Sequence, residues 1–117
     1  MRGPQPTSNF IAHSKAEEAA GIAISVVLDV PSPLRSLADQ VVRSASSVPA
    51  NLAEGAGRTG KDRSYHWKVA YGSAKEVDSH LRLLLGAGAV DATLTEQVLA
   101  LFDEVRAMTW RLLHPRL

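Results

Sequence analysis

The chain contains no cysteine, which excludes disulfide staples, thiol chemistry and cysteine-based zinc sites. Aromatic residues are scarce, at 5% of 117 residues, and of the four histidines (His13, His66, His80 and His114) no two stand three or four apart. A ligand pair on one helix face is therefore missing, and no metal or other cofactor is expected. Long apolar runs are also missing. The longest, Ala19 to Leu28, falls far short of the ~20 residues of a membrane span. It follows Glu17 and Glu18 rather than the basic start of a signal peptide, so a cytoplasmic protein with no membrane partner is expected. With a net charge of only +1, any attraction to nucleic acid depends on where the charges sit.

What the chain has is helical periodicity. At 45% apolar residues it can bury one core without staples. Residues 1–9 (MRGPQPTSN) hold two prolines and no apolar period, and read as a flexible tail ahead of one domain over 10–117. Ser14 with Glu17 fits a capping box for a first helix running to about Val30, with Ala16, Ala20, Ala23, Val27 and Val30 on one face. Pro31-Ser32-Pro33 stops it, and Ser32 with Pro33 reads as the cap and first position of a second helix. Leu34, Leu37, Val41, Ala45, Val48 and Leu52 continue in phase through Pro49. The proline removes the bond to the Ala45 carbonyl and predicts a kink rather than an end.

Gly55-Ala56-Gly57 closes this helix. Thr59 or Gly60 opens a third, with Asp62 suited to its positive N-terminus. Its seam is Trp67, Ala70, Ala74, Val77, Leu81 and Leu84, ending at Gly86 and Gly88. Gly72-Ser73 within it predicts a close contact, because a mid-helix glycine costs up to ~1 kcal/mol. Thr93 with Glu96 fits a second capping box, opening a fourth helix with Val98, Leu101, Val105, Met108 and Leu112 on its seam and a stop near Pro115. Four helices with short joins and no period-two run predict an all-α, antiparallel up-down four-helix bundle.

The third helix carries more apolar surface than one seam uses: Tyr65, Val69, Gly72 and Leu83 lie opposite Trp67 and Leu81. The second helix has Ser36, Ser47 and Ala50 on its far side, with Arg43 and Glu54. These faces, above all Arg43, Ser47, Ala50, Tyr65, Val69 and Leu83, are expected to form the contact surface of a homo-oligomer, against the plainer reading of scattered surface residues.

Candidate chemistry is thin. Glu54 stands at a helix C-terminus, where the dipole disfavours a carboxylate, so a partner is expected: Arg58, Arg43 or a neighbouring subunit. As a general acid or base it would need a second group in reach, and no paired carboxylate or nucleophile completes one. An enzyme reading would rest on Asn51 and Glu54 alone, and no catalytic activity is expected. Arg58, Lys61, Arg63, His66 and Lys68, interleaved with Tyr65 and Trp67, form the densest basic cluster. Arg58, Lys61, Arg63 and Lys68 are the candidate phosphate contacts, beside a helix N-terminus suited to anions. The plainer reading is a solvated helix start. Gly55-Ala56-Gly57-Arg58 follows a helix rather than a strand and lacks the Gly-Lys-Ser/Thr ending of a phosphate loop.

The run Ser47 to Arg58 (SVPANLAEGAGR), followed by Gly60 to Leu81 (GKDRSYHWKVAYGSAKEVDSHL), resembles the bacterial four-helix bundle family named for genes lying in intervening sequences of 23S ribosomal RNA. Some of its members are labelled S23 ribosomal proteins. Val48, Pro49, Asn51, Leu52, Ala53, Glu54, Gly55, Gly57, Arg58, Gly72, Ser73 and Glu76 match the family pattern, over a resemblance spanning about Leu34 to Leu113. Ala56 replaces the aromatic of many members, and Tyr65-His66-Trp67 replaces a Phe- and Leu-rich stretch. The resemblance implies a homopentameric barrel of antiparallel bundles. It extends to the accessory protein of diversity-generating retroelements, a basic pentamer associated with nucleic acid and a reverse transcriptase. The expected partners are thus further copies of the chain, with RNA or DNA; the alternative is a structural scaffold that binds a protein partner.

Overall fold

The computed structural model describes residues 7–116. Four helices account for most of them: α1 (Ser8–Val26), α2 (Arg35–Ala56), α3 (Gly60–Gly86) and α4 (Ala92–Leu113), with one 3₁₀ turn, Ser32–Leu34, before α2. Among the described residues there is no strand. Close backbone approaches join α1 to α2, α2 to α3, α3 to α4 and α4 back to α1, while among the described residues neither diagonal pair brings its backbones so close. This is a four-cornered all-α bundle with sequential neighbours, as short joins between amphipathic helices require.

The core forms where the seams meet. In α3 all six expected residues, Trp67, Ala70, Ala74, Val77, Leu81 and Leu84, are buried. In α2 Val41, Ala45, Val48 and Leu52 are buried, and Leu34 and Leu37 pack at the margin. Pro49 lies inside α2, which continues unbroken to Ala56. The expected α4 seam is only partly central. Val98 and Val105 are buried, but Thr95, Leu99, Phe102 and Thr109 share the centre, and Leu101, Met108 and Leu112 pack at its edge. Within α1 the buried residues are Ala12, Ala16, Ala19, Ala20 and Ala23, so its backbone packs against α2 and α4 through methyl groups.

Several expected ends move. Helix α1 does not start at Ser14: the Thr7 hydroxyl caps it by accepting the Phe10 N–H at 3.3 Å. This earlier start places Ala12 in the core. Of the expected 1–9 tail, Thr7 is the cap and Ser8 and Asn9 form the first turn; residues 1–6 lie outside the described residues. Helix α1 also ends before Val30. Val27 is its C-cap, and Val27 and Val30 reach the core from the turn. Ser32 makes no capping bond, and Pro33 belongs to the 3₁₀ turn rather than to α2. Helix α4 is capped by Asp91, whose carboxylate accepts the Leu94 N–H at 2.7 Å, so Thr93 lies inside the helix. A carboxylate also suits the positive end of the dipole better than a hydroxyl does.

Candidate nucleic-acid interface

The α2–α3 corner is built around Gly55. A Cβ there would lie 2.6 Å from Cδ1 and Nε1 of Trp67 and 3.2 Å from the Arg63 carbonyl oxygen. Glycine lets the buried indole lie on the end of α2, where its Nε1–H donates to the Leu52 carbonyl at 3.3 Å. That bond satisfies the one polar atom the ring brings into the core.

Two of the four expected phosphate contacts are occupied within the corner. The Arg63 guanidinium donates to the carbonyls of Gly55 (3.0 Å) and Ala56 (3.1 Å) and lies 5.3 Å from the Trp67 ring centroid. It adds a cation and donors at the carbonyls ending α2, where the Gly55 carbonyl also accepts the Arg58 N–H at 3.1 Å. Arg58 donates through Nε and Nη2 to Glu54 Oε1, at 3.2 and 2.7 Å, and approaches Asp62 at 3.9 Å. Of the two partners within the chain considered for Glu54, Arg58 and Arg43, it is Arg58 that pairs with it. Its hydrogen bond and charge hold the Glu54 carboxyl below the usual carboxylate range and raise the Arg58 guanidinium. Lys61 and Lys68 are exposed and make no ion pair among the described residues.

Polar residues of the shared motif pair across the same two helices. Asn51 Nδ2 donates to the Ser47 carbonyl (2.9 Å) and hydroxyl (3.1 Å), and Asn51 Oδ1 lies 3.0 Å from His66 Nδ1. The Ser73 hydroxyl donates to that of Ser47 at 2.9 Å. Ser47 is thus half-buried between α2 and α3 rather than turned outward. The remaining expected oligomer contacts, Arg43, Ala50, Tyr65 and Leu83, are exposed, and Val69 is half-buried. Gly72 is not a close-contact point within the chain, since nothing lies within 4 Å of a Cβ placed there. Glu76 is exposed on α3.

A groove of about 900 Å³ opens between α3 and α4. Tyr71 and Lys75 line it from α3, while Asp103, Arg106, Trp110 and Arg111 line it from α4, with His114 and Arg116 beyond the helix end. Arg106 pairs with Asp103. Trp110 and His114 stack with centroids 4.1 Å apart and an interplanar angle of 25°. His114 Nδ1 lies 2.8 Å from the Trp110 carbonyl; a carbonyl only accepts, so Nδ1 carries the proton. None of the groove's lining residues is among the phosphate-contact candidates of the sequence, which sit at the α2–α3 corner. Lys61, Lys68 and Lys75 repeat every seven residues on α3, and of these three it is Lys75 that lines the groove.

Among the described residues no helix is long and apolar enough to cross a membrane, and no group of three or more His, Asp or Glu could hold a metal ion. The family model for the 23S rRNA-intervening sequence protein matches residues 9–111. The chain belongs to that family. Among solved structures it is similar to a protein of unknown function from the S23 ribosomal protein family of Bacteroides thetaiotaomicron, with a TM-score of 0.82 and 17% identity. The match covers 92% of this chain and 98% of that one. Similarity at this identity is one of fold. No curated protein matches the chain. Within the 23S rRNA-intervening sequence family the matched span includes the whole corner, from Ser47 to Ser73.

Proposed function

We propose that this 23S rRNA-intervening sequence family member is a non-catalytic cytoplasmic protein that assembles as a homopentameric ring and binds nucleic acid through phosphate contacts on α3. The observation that carries the binding reading is the pair Lys61 and Lys68, exposed, unpaired among the described residues and on one face of α3. Arg58 and Arg63 are secondary contacts in this reading, because their guanidiniums already serve Glu54 and the end of α2. A ring would repeat the lysine pair in each subunit and multiply a weak phosphate contact. Support for assembly comes from Tyr65 and Leu83, which are 63% and 59% exposed, and from Gly72, a mid-helix glycine with open space beside it.

The test is titration of a fluorescent structured RNA and a matched DNA duplex at several salt concentrations, with light scattering to give the mass. The reading expects affinity that falls steeply with salt, is lost in Lys61→Glu/Lys68→Glu, and belongs to a particle of five subunits. Binding that survives the double reversal would overturn the assigned face, and a monomeric mass would overturn the ring. The exposed Tyr65 and Leu83 side chains also favour a second reading, a structural oligomer that holds a protein partner. No nucleic-acid binding even at low salt would leave that one standing.

A further inference from the structure

We infer that the α3–α4 groove is a site for an unpaired nucleotide, taking the base against the Trp110–His114 stack and the phosphate on Lys75, Arg111 and Arg116. It rests on the nucleic-acid reading for its ligand class but lies on different residues, so the two can fail separately. Trp110 is 50% exposed, large for an indole that the core does not need. Its ring is already ordered by the stacked imidazole, which the bond to the Trp110 carbonyl holds in place. A flat base can extend that stack toward solvent, an interaction that discriminates little between bases because each presents a π-face.

The charges around the stack favour an anion. Lys75 lies 5.9 Å from the Tyr71 ring centroid, on the α3 wall opposite Trp110. Arg111 and Arg116 are exposed, and none of these three cations makes an ion pair among the described residues. The one acidic group facing the groove, Asp103, is paired with Arg106, so the remaining balance is positive. An aromatic platform beside several unengaged cations is the combination that holds unpaired nucleotides: the cations track phosphate and the ring holds the base. A duplex, whose bases are already stacked inside, would have no use for the platform.

The same chemistry occurs in a free mononucleotide and in a single strand, and the experiment separates them. Trp110 fluorescence is followed while the full chain is titrated with AMP, a short single-stranded deoxyadenylate, or an abasic strand of equal length; Trp67 is buried and serves as a steady background. Quenching by AMP alone would support a free-nucleotide site, and quenching by the deoxyadenylate but not the abasic strand would support a strand site. Either affinity should fall about tenfold or more in Trp110→Leu, read by anisotropy of a labelled ligand, and similarly in Arg111→Gln. Absence of quenching by all three probes, or affinity unchanged in both variants, would overturn the proposal. Lys61→Glu/Lys68→Glu should leave AMP quenching intact even where it abolishes duplex binding.

Discussion

Gly55 and Trp67 occupy space that admits only one of them at larger size, since a Cβ on Gly55 would lie 2.6 Å from two atoms of the indole. Those atoms belong to a ring that is 6% exposed, with the Arg63 carbonyl close on the other side, so the clash has no flexible end to give way. Gly55→Ala should therefore destabilise the fold by about 1–3 kcal/mol, read as a lower denaturant midpoint. Trp67→Ala alone should cost about 3–5 kcal/mol. In that background the Gly55→Ala penalty should largely vanish, a non-additivity that a double-mutant cycle measures directly.

Arg63 contributes by shape as well as by charge. Its fork reaches two successive carbonyls at the end of α2 while its plane lies near the Trp67 ring. Arg63→Ala should lower stability by about 1–2 kcal/mol. Arg63→Lys should recover little of it, because an ammonium lacks the planar fork. Thermal unfolding of the two variants checks this. Recovery of full stability by lysine would reduce the role to charge alone.

The Glu54–Arg58 pair predicts an acid dependence. The Glu54 carboxyl titrates below its usual value in the folded protein, so its contribution is present above the unfolded value and is lost as pH falls through the lower, folded one. Both side chains are about half exposed, so the effect is small. The wild-type protein should melt slightly above Glu54→Gln at neutral pH, and the two curves should converge in acid. High salt should narrow the neutral-pH gap.

Gly72 offers a test of assembly through stability. Within one chain a methyl there meets nothing, and alanine is favoured over glycine in a helix by about 0.8–1 kcal/mol. In a monomer Gly72→Ala should raise the melting temperature. In a ring whose subunits meet at this position the same substitution should lower the assembled mass or its dissociation midpoint, as read by light scattering across a dilution series.

Much of the fold was legible in the sequence because three of the four core stripes announce themselves. The α3 seam is legible in full, since its six residues keep three-and-four steps. Helix starts were harder. Ser14 and Thr93 each have a glutamate three residues on, a local pattern that fits a cap. Packing of Ala12 and the carboxylate of Asp91 instead set the starts earlier. At the site, a basic cluster is visible as composition, but sequence spacing does not reveal which cations face solvent. Arg63 turns inward onto backbone carbonyls, a contact eight residues back in the chain. The glycines show the same limit. Gly55 and Gly72 look alike as letters, and only the position of the Trp67 ring distinguishes the crowded one from the open one.

The alanine lining of α1 has a kinetic consequence. A methyl removes far less apolar surface from water than the leucine, valine and phenylalanine side chains that anchor the other three helices. Helix α1 is therefore held by the least free energy per turn. Local openings should begin there, before the α2–α3 corner loosens. In hydrogen exchange its amides would report a subglobal event, while those around Leu52, Trp67 and Leu81 would wait for the whole bundle to unfold.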